Sequence, residues 1–276
     1  MTVQPESSET QQVSPDQDHV LNVKNLSKNF GGLAAVQHLD FYVETGSISS
    51  MIGPNGAGKS TVFNLISGLY RPDDGLILFE GKNIAGLSPD RVQKRGIART
   101  FQNQRLFANL SVLENVLIGY HSRLKSGLFG DIVKPPWTRH EEHEARERAM
   151  EALRLFGDRL APHAHRRSVD LPYADRRLLE LARGIVSEPR LLMLDEPTAG
   201  MNPNEAQQFM DYMRTIRDRG ITILLIEHNL SVVMGVSERV VVLDYGTKIA
   251  EGLPEEVRSN EQVIEAYLGR KAAAGA

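Results

Sequence analysis

Gly53, Pro54, Asn55, Gly56, Ala57, Gly58, Lys59 and Ser60 follow one another in the spacing G-x-x-x-x-G-K-[ST], and Thr61 comes next. Glycines here let backbone N–H groups curl inward toward phosphate oxygens, and a helix opening at Lys59 adds the partial positive charge of its N-terminus. The Lys59 ammonium supplies a point charge for the β- and γ-phosphates, and the Ser60 hydroxyl is a ligand for Mg²⁺. The segment predicts ATP binding.

Residues 191–196 read Leu-Leu-Met-Leu-Asp-Glu. A buried strand that delivers Asp195 at its C-terminal end suits the outer shell of a phosphate-bound Mg²⁺. Glu196, one residue on, can polarise an attacking water. An apolar run ending in an acid is also a common solvated strand end; the phosphate loop upstream gives it meaning.

Elements must position these groups. Residues 47–52 read as a short strand entering the loop, and 59–67 as the helix leaving it. Segments 20–26 and 35–43 read as strands around a turn at Gly31 and Gly32. Another strand is expected at 76–80, and a short helix at 88–95 with Pro89 at its first position. Residues 119–139 are rich in Gly, Pro and basic residues and hold no steady period. In the charged stretch 138–156, Met150, Leu153 and Phe156 form a one-sided helical stripe. A mostly helical subdomain is expected from 112, continuing to about 187. From Asp175 onward the pattern alternates: helix 176–186, strand 191–194, helix 203–219, strand 221–226, then strand 240–243. Apolar strands without alternation are expected where parallel strands are covered on both faces. Repeated units of this kind predict a doubly wound α/β core.

At 276 residues the chain suits one domain carrying a subdomain or large insertion. A net charge of −3 argues against duplex nucleic acid as a partner. The absence of cysteine excludes disulfides and cysteine-based zinc sites. No apolar run approaches the about 20 residues of a spanning helix. Residues 1–19 are acidic, without Lys, Arg or an apolar stretch, and are expected to form a disordered tail rather than a secretory signal. The chain is expected to stay in the cytoplasm.

The phosphate loop, Gln102 in ARTFQN, residues 171–177, LLMLDEPTAGMN and His228 in LLIEHN stand in the order of ABC-transporter ATPase subunits, which the chain resembles over roughly residues 20–270. More narrowly it resembles the larger ATP-binding subunit of branched-chain amino-acid importers, through RTFQNQRLFANLSVLENV, the insert GYHSRLKSGLFGDIVKPP, MLDEPTAGMNP and IEHNLSVVMGVSERVVVL. The resemblance implies a P-loop NTPase (RecA-like) core with an antiparallel β subdomain and a helical subdomain, spanning 20–268, with 269–276 a flexible tail. Phe30 would stack on adenine. Gln102 would sense Mg²⁺ and the lytic water and report to the permease. Glu196 would be the general base, residues 199–202 would cross a dimer interface, and His228 would hold the γ-phosphate. Read without the family, Phe30 also fits a packed turn aromatic, Gln102 a surface glutamine and His228 a strand-end histidine. The implied partners are a second ABC ATPase subunit (a copy or a paralogue), transmembrane permease subunits and, indirectly, a periplasmic binding protein, with the chain peripheral on the cytoplasmic face of the inner membrane. Import of urea or amides, lipopolysaccharide export, a soluble ABC ATPase acting on ribosomes or DNA, and a regulatory nucleotide switch that closes without turning over are the alternatives. The insert at 119–139 counts against the export subunit.

One segment departs from the family. Where the signature is ordinarily Leu-Ser-Gly-Gly-Gln, this chain has Leu171, Pro172, Tyr173, Ala174 and Asp175. Pro172 offers neither the hydroxyl that would donate to the γ-phosphate on the partner subunit nor an N–H. Losing one donor to a charged acceptor costs about 1.5–3 kcal/mol. The Ala174 N–H and the dipole of the following helix remain, so a weaker composite site is expected rather than a dead one.

Overall fold

The computed structural model describes residues 18–100, 106–120 and 136–273. Gln102, nearly all of the 1–19 tail, most of the 119–139 insert and residues 274–276 lie outside the described residues.

Two sheets organise the chain. Strand β1 (His19–Phe30) turns at Gly31 and Gly32 into β2 (Leu33–Glu44), and together with β4 (Asp74–Phe79) and β5 (Lys82–Asn83) they form an antiparallel sheet in the order β2-β1-β4-β5. The second sheet runs β10-β9-β3-β8-β7-β6. In it β3 (Ile48–Ile52), β6 (Ile97–Arg99), β7 (Leu191–Asp195), β8 (Thr222–Ile226) and β9 (Arg239–Asp244) are parallel, and β10 (Thr247–Gly252) pairs antiparallel with β9.

Every residue of β3, β7 and β8 is buried, as the unalternating apolar runs of β7 and β8 predicted. Because side chains alternate across a strand, each strand feeds two cores. Leu192 and Leu194 of β7, with Ile223 and Leu225 of β8, pack with the helical side of the molecule. Leu191, Met193, Leu224 and Ile226 pack toward β1, β2 and helix α1 (Lys59–Ile66). On the far edge, Ile52, Val240 and Val242 sit with Val257 of α8 (Pro254–Ser259) and Val263 of α9 (Glu261–Ala273).

The helical part holds α3 (Val112–Tyr120), α4 (Pro136–Arg154) and α5 (Tyr173–Ile185). Helices α3 and α5 cross closely: a β-carbon on Gly119 would lie 2.2 Å from the Arg183 carbonyl oxygen. The fully buried Asn115 accepts from the Phe107 N–H at 2.9 Å and donates to the Ser111 carbonyl at 2.9 Å, bracing the segment that precedes α3. Helices α2 (Pro89–Lys94), α6 (Pro203–Asp218) and α7 (Leu230–Val236) complete the set.

Patterning placed no element at β6, at α7 or beyond residue 243. Three residues carry no period, which hides β6. Helix α9 continues through Ala273, into the stretch expected as a tail from 269, in keeping with alanine's high helix propensity.

Candidate functional site

The loop from Gly53 to Gly58 joins β3 to α1. A side chain at Gly53 would place its β-carbon 2.1 Å from the Leu243 carbonyl, and one at Gly58 would stand 2.5 Å from the Ala35 carbonyl. Both have positive φ, 148° and 100°, so glycine is required on two counts. The loop is also tied to its surroundings by backbone: the Gly246 N–H donates to the Ala57 carbonyl at 3.0 Å, and the Gln37 N–H to the Gly246 carbonyl at 2.8 Å. The Lys59 ammonium lies over the loop, donating to the carbonyls of Gly53 at 2.6 Å and Pro54 at 3.0 Å. Pro54 and Ala57 are buried, whereas Asn55 and Gly56 are exposed; Ser60 is exposed and Thr61 half-buried in the first turn of α1, which carries no acidic residue. No carboxylate in its own first turn offsets the N-terminal N–H groups and dipole.

Asp195 ends β7, buried, with its carboxylate 3.0 Å from Arg99. Burial raises the Asp195 carboxyl above its ordinary value; Arg99 opposes that, Glu196 adds to it and Lys59 lowers it. That coupling puts Lys59, Asp195 and Glu196 in one neighbourhood. Arg99 also donates to Asn64 at 2.7 Å and Ser67 at 2.9 Å, both from α1 and its C-cap, so one guanidinium joins β6, β7 and the helix that follows the phosphate loop. Glu196 follows with φ of 48°, a left-handed conformation unusual for a residue with a side chain, and its N–H donates to the Ile226 carbonyl at 2.9 Å. His228 Nδ1 stands 3.6 Å from Glu196 Oε1.

Phe30 closes β1 and is 42% exposed, edge-on to Tyr70 with ring centroids 5.2 Å apart. It pairs with Leu33 at the start of β2, whose Ala35 touches the phosphate loop. An exposed aromatic face therefore lies at the hairpin beside that loop.

Residues 171–175 open α5. Pro172 and Tyr173 are exposed, while the side chains of Leu171 and Ala174 are buried and can offer only backbone. The Asp175 carboxylate is 2.5 Å from Arg159, so it is engaged within its own subdomain. The Tyr173 hydroxyl donates to the Ala199 carbonyl at 3.0 Å.

Two residues with evident roles in this geometry carried no signal along the chain, and a third, Tyr173, was named there without a role of its own. Arg99 meets Asp195 across 96 positions, Glu227 holds Thr198 across 29, and Tyr173 reaches Ala199 across 26. A motif read along the chain does not see such pairs.

An ABC transporter family model matches residues 36–199, more than half of the chain. The chain belongs to the ABC transporter family of ATP-binding cassette ATPases. Residues 247–273 further match the family model described as branched-chain amino acid ATP-binding cassette transporter. Over 251 residues, 91% of this chain and 98% of the relative, it is 44% identical to the high-affinity branched-chain amino acid transport ATP-binding protein LivG of Escherichia coli. It is 42% identical, over the same shares, to the corresponding BraF of Pseudomonas aeruginosa. Its fold superposes on a nucleotide-free ATP-binding cassette from an ABC transporter with a TM-score of 0.79 at 31% identity, covering 90% of this chain and 98% of the other. A cassette solved in its ADP conformation gives 0.79 at 30% identity, covering 91% and 99%. The expected family and α/β fold are borne out.

Proposed function

We propose that this chain hydrolyses ATP within a dimer of cassettes and so drives a membrane permease that imports branched-chain or related amino acids. The gathering of Lys59, Asp195, Glu196 and His228 carries the reading. Lys59 and the backbone N–H groups of 53–58 would grip the phosphates, and Phe30 would stack on adenine. Glu196 takes the proton of the attacking water, and His228 steadies both Glu196 and the γ-phosphate. Phosphoryl transfer asks mainly for such positioning and charge stabilisation. Ser60 and Asp195 offer few, hard oxygen donors, which suits Mg²⁺, a cation that keeps waters and phosphate oxygens among its ligands. Bound there, it would supply charge neutralisation at the β- and γ-phosphates.

The partner's 171–177 segment would cap each nucleotide, with Pro172, Tyr173 and backbone N–H groups facing outward. Closure then follows from ligand contacts that exist only in the shut pair. A groove of about 420 Å³, lined by Leu69, Val92, Phe107, Ile118 and Arg183, lies beside β6, the strand that leads to Gln102. An apolar groove of this kind supports docking of the permease there, with the chain peripheral on the cytoplasmic face of the membrane. Among the described residues no helix is long and apolar enough to cross a membrane. The import of branched-chain amino acids is supported by the names of LivG and BraF.

Glu196→Gln should bind ATP, accumulate as a dimer in size-exclusion chromatography with MgATP, and lose turnover. Hydrolysis near the parent rate would refute the assignment. Lys59→Ala should instead lose nucleotide affinity in equilibrium binding.

A further inference from the structure

Glu227 is fully buried at the end of β8. A buried carboxylate persists only when its lone pairs are met, and here four donors meet them. Oε1 accepts from the Thr198 N–H at 3.1 Å and from the Thr198 hydroxyl; Oε2 accepts from the N–H groups of His228 at 3.0 Å and Asn229 at 3.1 Å. Thr198 lies two residues beyond Glu196, and His228 is the next residue after Glu227. One side chain thus fastens the backbone that carries Glu196 to the backbone that carries His228. The same turn is held a second time, at Ala199 and Gly200. Tyr173 donates its hydroxyl to the Ala199 carbonyl at 3.0 Å, receives Arg177 Nη2 at 3.1 Å, and backs its ring onto Gly200, where a β-carbon would stand 3.3 Å away.

We propose that Glu227 and Tyr173 are positioning residues that grip the turn 196–200 at the adjacent residues Thr198 and Ala199. Movement of residues 171–177 against the nucleotide on the partner subunit is then passed through Ala199 and Thr198 to the Glu196–His228 pair. The inference rests on the dimer reading above. Charge-assisted hydrogen bonds inside a dry site are stiff, and the left-handed φ of Glu196 leaves the base dependent on that external hold. Glu227 does not touch substrate in this scheme, and the Tyr173 hydroxyl bonds Ala199 rather than the partner's nucleotide. Both act through the turn, so their loss should appear in turnover rather than in binding.

The test measures kcat and KM for MgATP, equilibrium binding of a fluorescent ATP analogue, and the thermal midpoint. Thr198→Val and Glu227→Gln should lower kcat by about tenfold or more with the analogue's affinity within about twofold of the parent. Thr198→Ser, which keeps the hydroxyl, should restore most of the rate. Tyr173→Phe combined with Thr198→Val should lose less than the product of the two single losses, since both act on one turn. Parent-like kcat in Thr198→Val, an affinity loss that matches the kcat loss, or strictly multiplicative losses in the double variant would each overturn the proposal. If Glu227→Gln does not fold, the Thr198 pair decides. Glu196→Gln run alongside separates the two readings: turnover in that variant removes the proposed function, whereas its inactivity beside a parent-like Thr198→Val removes only the relay.

Discussion

At the scale of single residues, Asp195 shows what the site demands. Its carboxyl is pushed above the ordinary value of 3.8, mainly by burial, with Arg99 opposing the shift. Ionised Asp195 therefore costs folding free energy: its contribution is full below 3.8 and is lost as pH rises through the raised folded value. Asp195→Asn removes that slope. The urea midpoint of the parent relative to this variant should fall as pH rises above 3.8 and level off once the folded carboxyl has ionised. Arg99→Met leaves the buried carboxylate uncompensated and should cost about 3–5 kcal/mol, read from the same unfolding curves, whereas pairing it with Asp195→Leu should recover much of the loss. The loop at 53–58 and the strand end at Asp195 were legible in place because each sits within its own motif. Arg99 and Glu227 were not: their partners are distant in sequence, and each reads alone as an unremarkable charge at a strand end.

At the scale of elements, two devices fix the helices that frame the site. Asn202 and Glu205 cap α6 reciprocally, at 3.0 and 2.9 Å, and this helix begins immediately after the turn that follows Glu196. Asn202→Ala should cost about 1 kcal/mol, measured by chemical unfolding. Gly119→Ala puts a β-carbon into the Arg183 carbonyl and should cost about 1–3 kcal/mol while widening the groove against which the permease is proposed to dock. Strands β7, β8 and β9 of the parallel core were legible from their bare apolar runs, and β1 with β2 from the Gly31–Gly32 turn. Elements with two or three residues, or with weak polarity contrast such as α7, were not, because their existence is decided by neighbours rather than by their own period. The conformation of residues 171–175 was equally hidden. Nothing local announces that Asp175 will be taken by Arg159 or that Tyr173 will reach Ala199.

For the molecule as a whole, the parallel sheet divides two cores, and the phosphate loop is seated where three distant stretches converge. Backbone bonds join Gln37, Ala57 and Gly246, and the carbonyls of Ala35 and Leu243 press on Gly58 and Gly53. Contacts of such wide sequence separation form late and slowly. The consequence falls on synthesis. A nascent chain emerging from the ribosome already displays the whole glycine-rich loop, yet until Gly246 clears the exit tunnel the loop lacks one of its walls. A ribosome-tethered chain ending before Gly246 should pass unretained over immobilised ATP, while one tethered beyond its last residue should be held. Newly made subunits would then acquire fuel only as translation finishes.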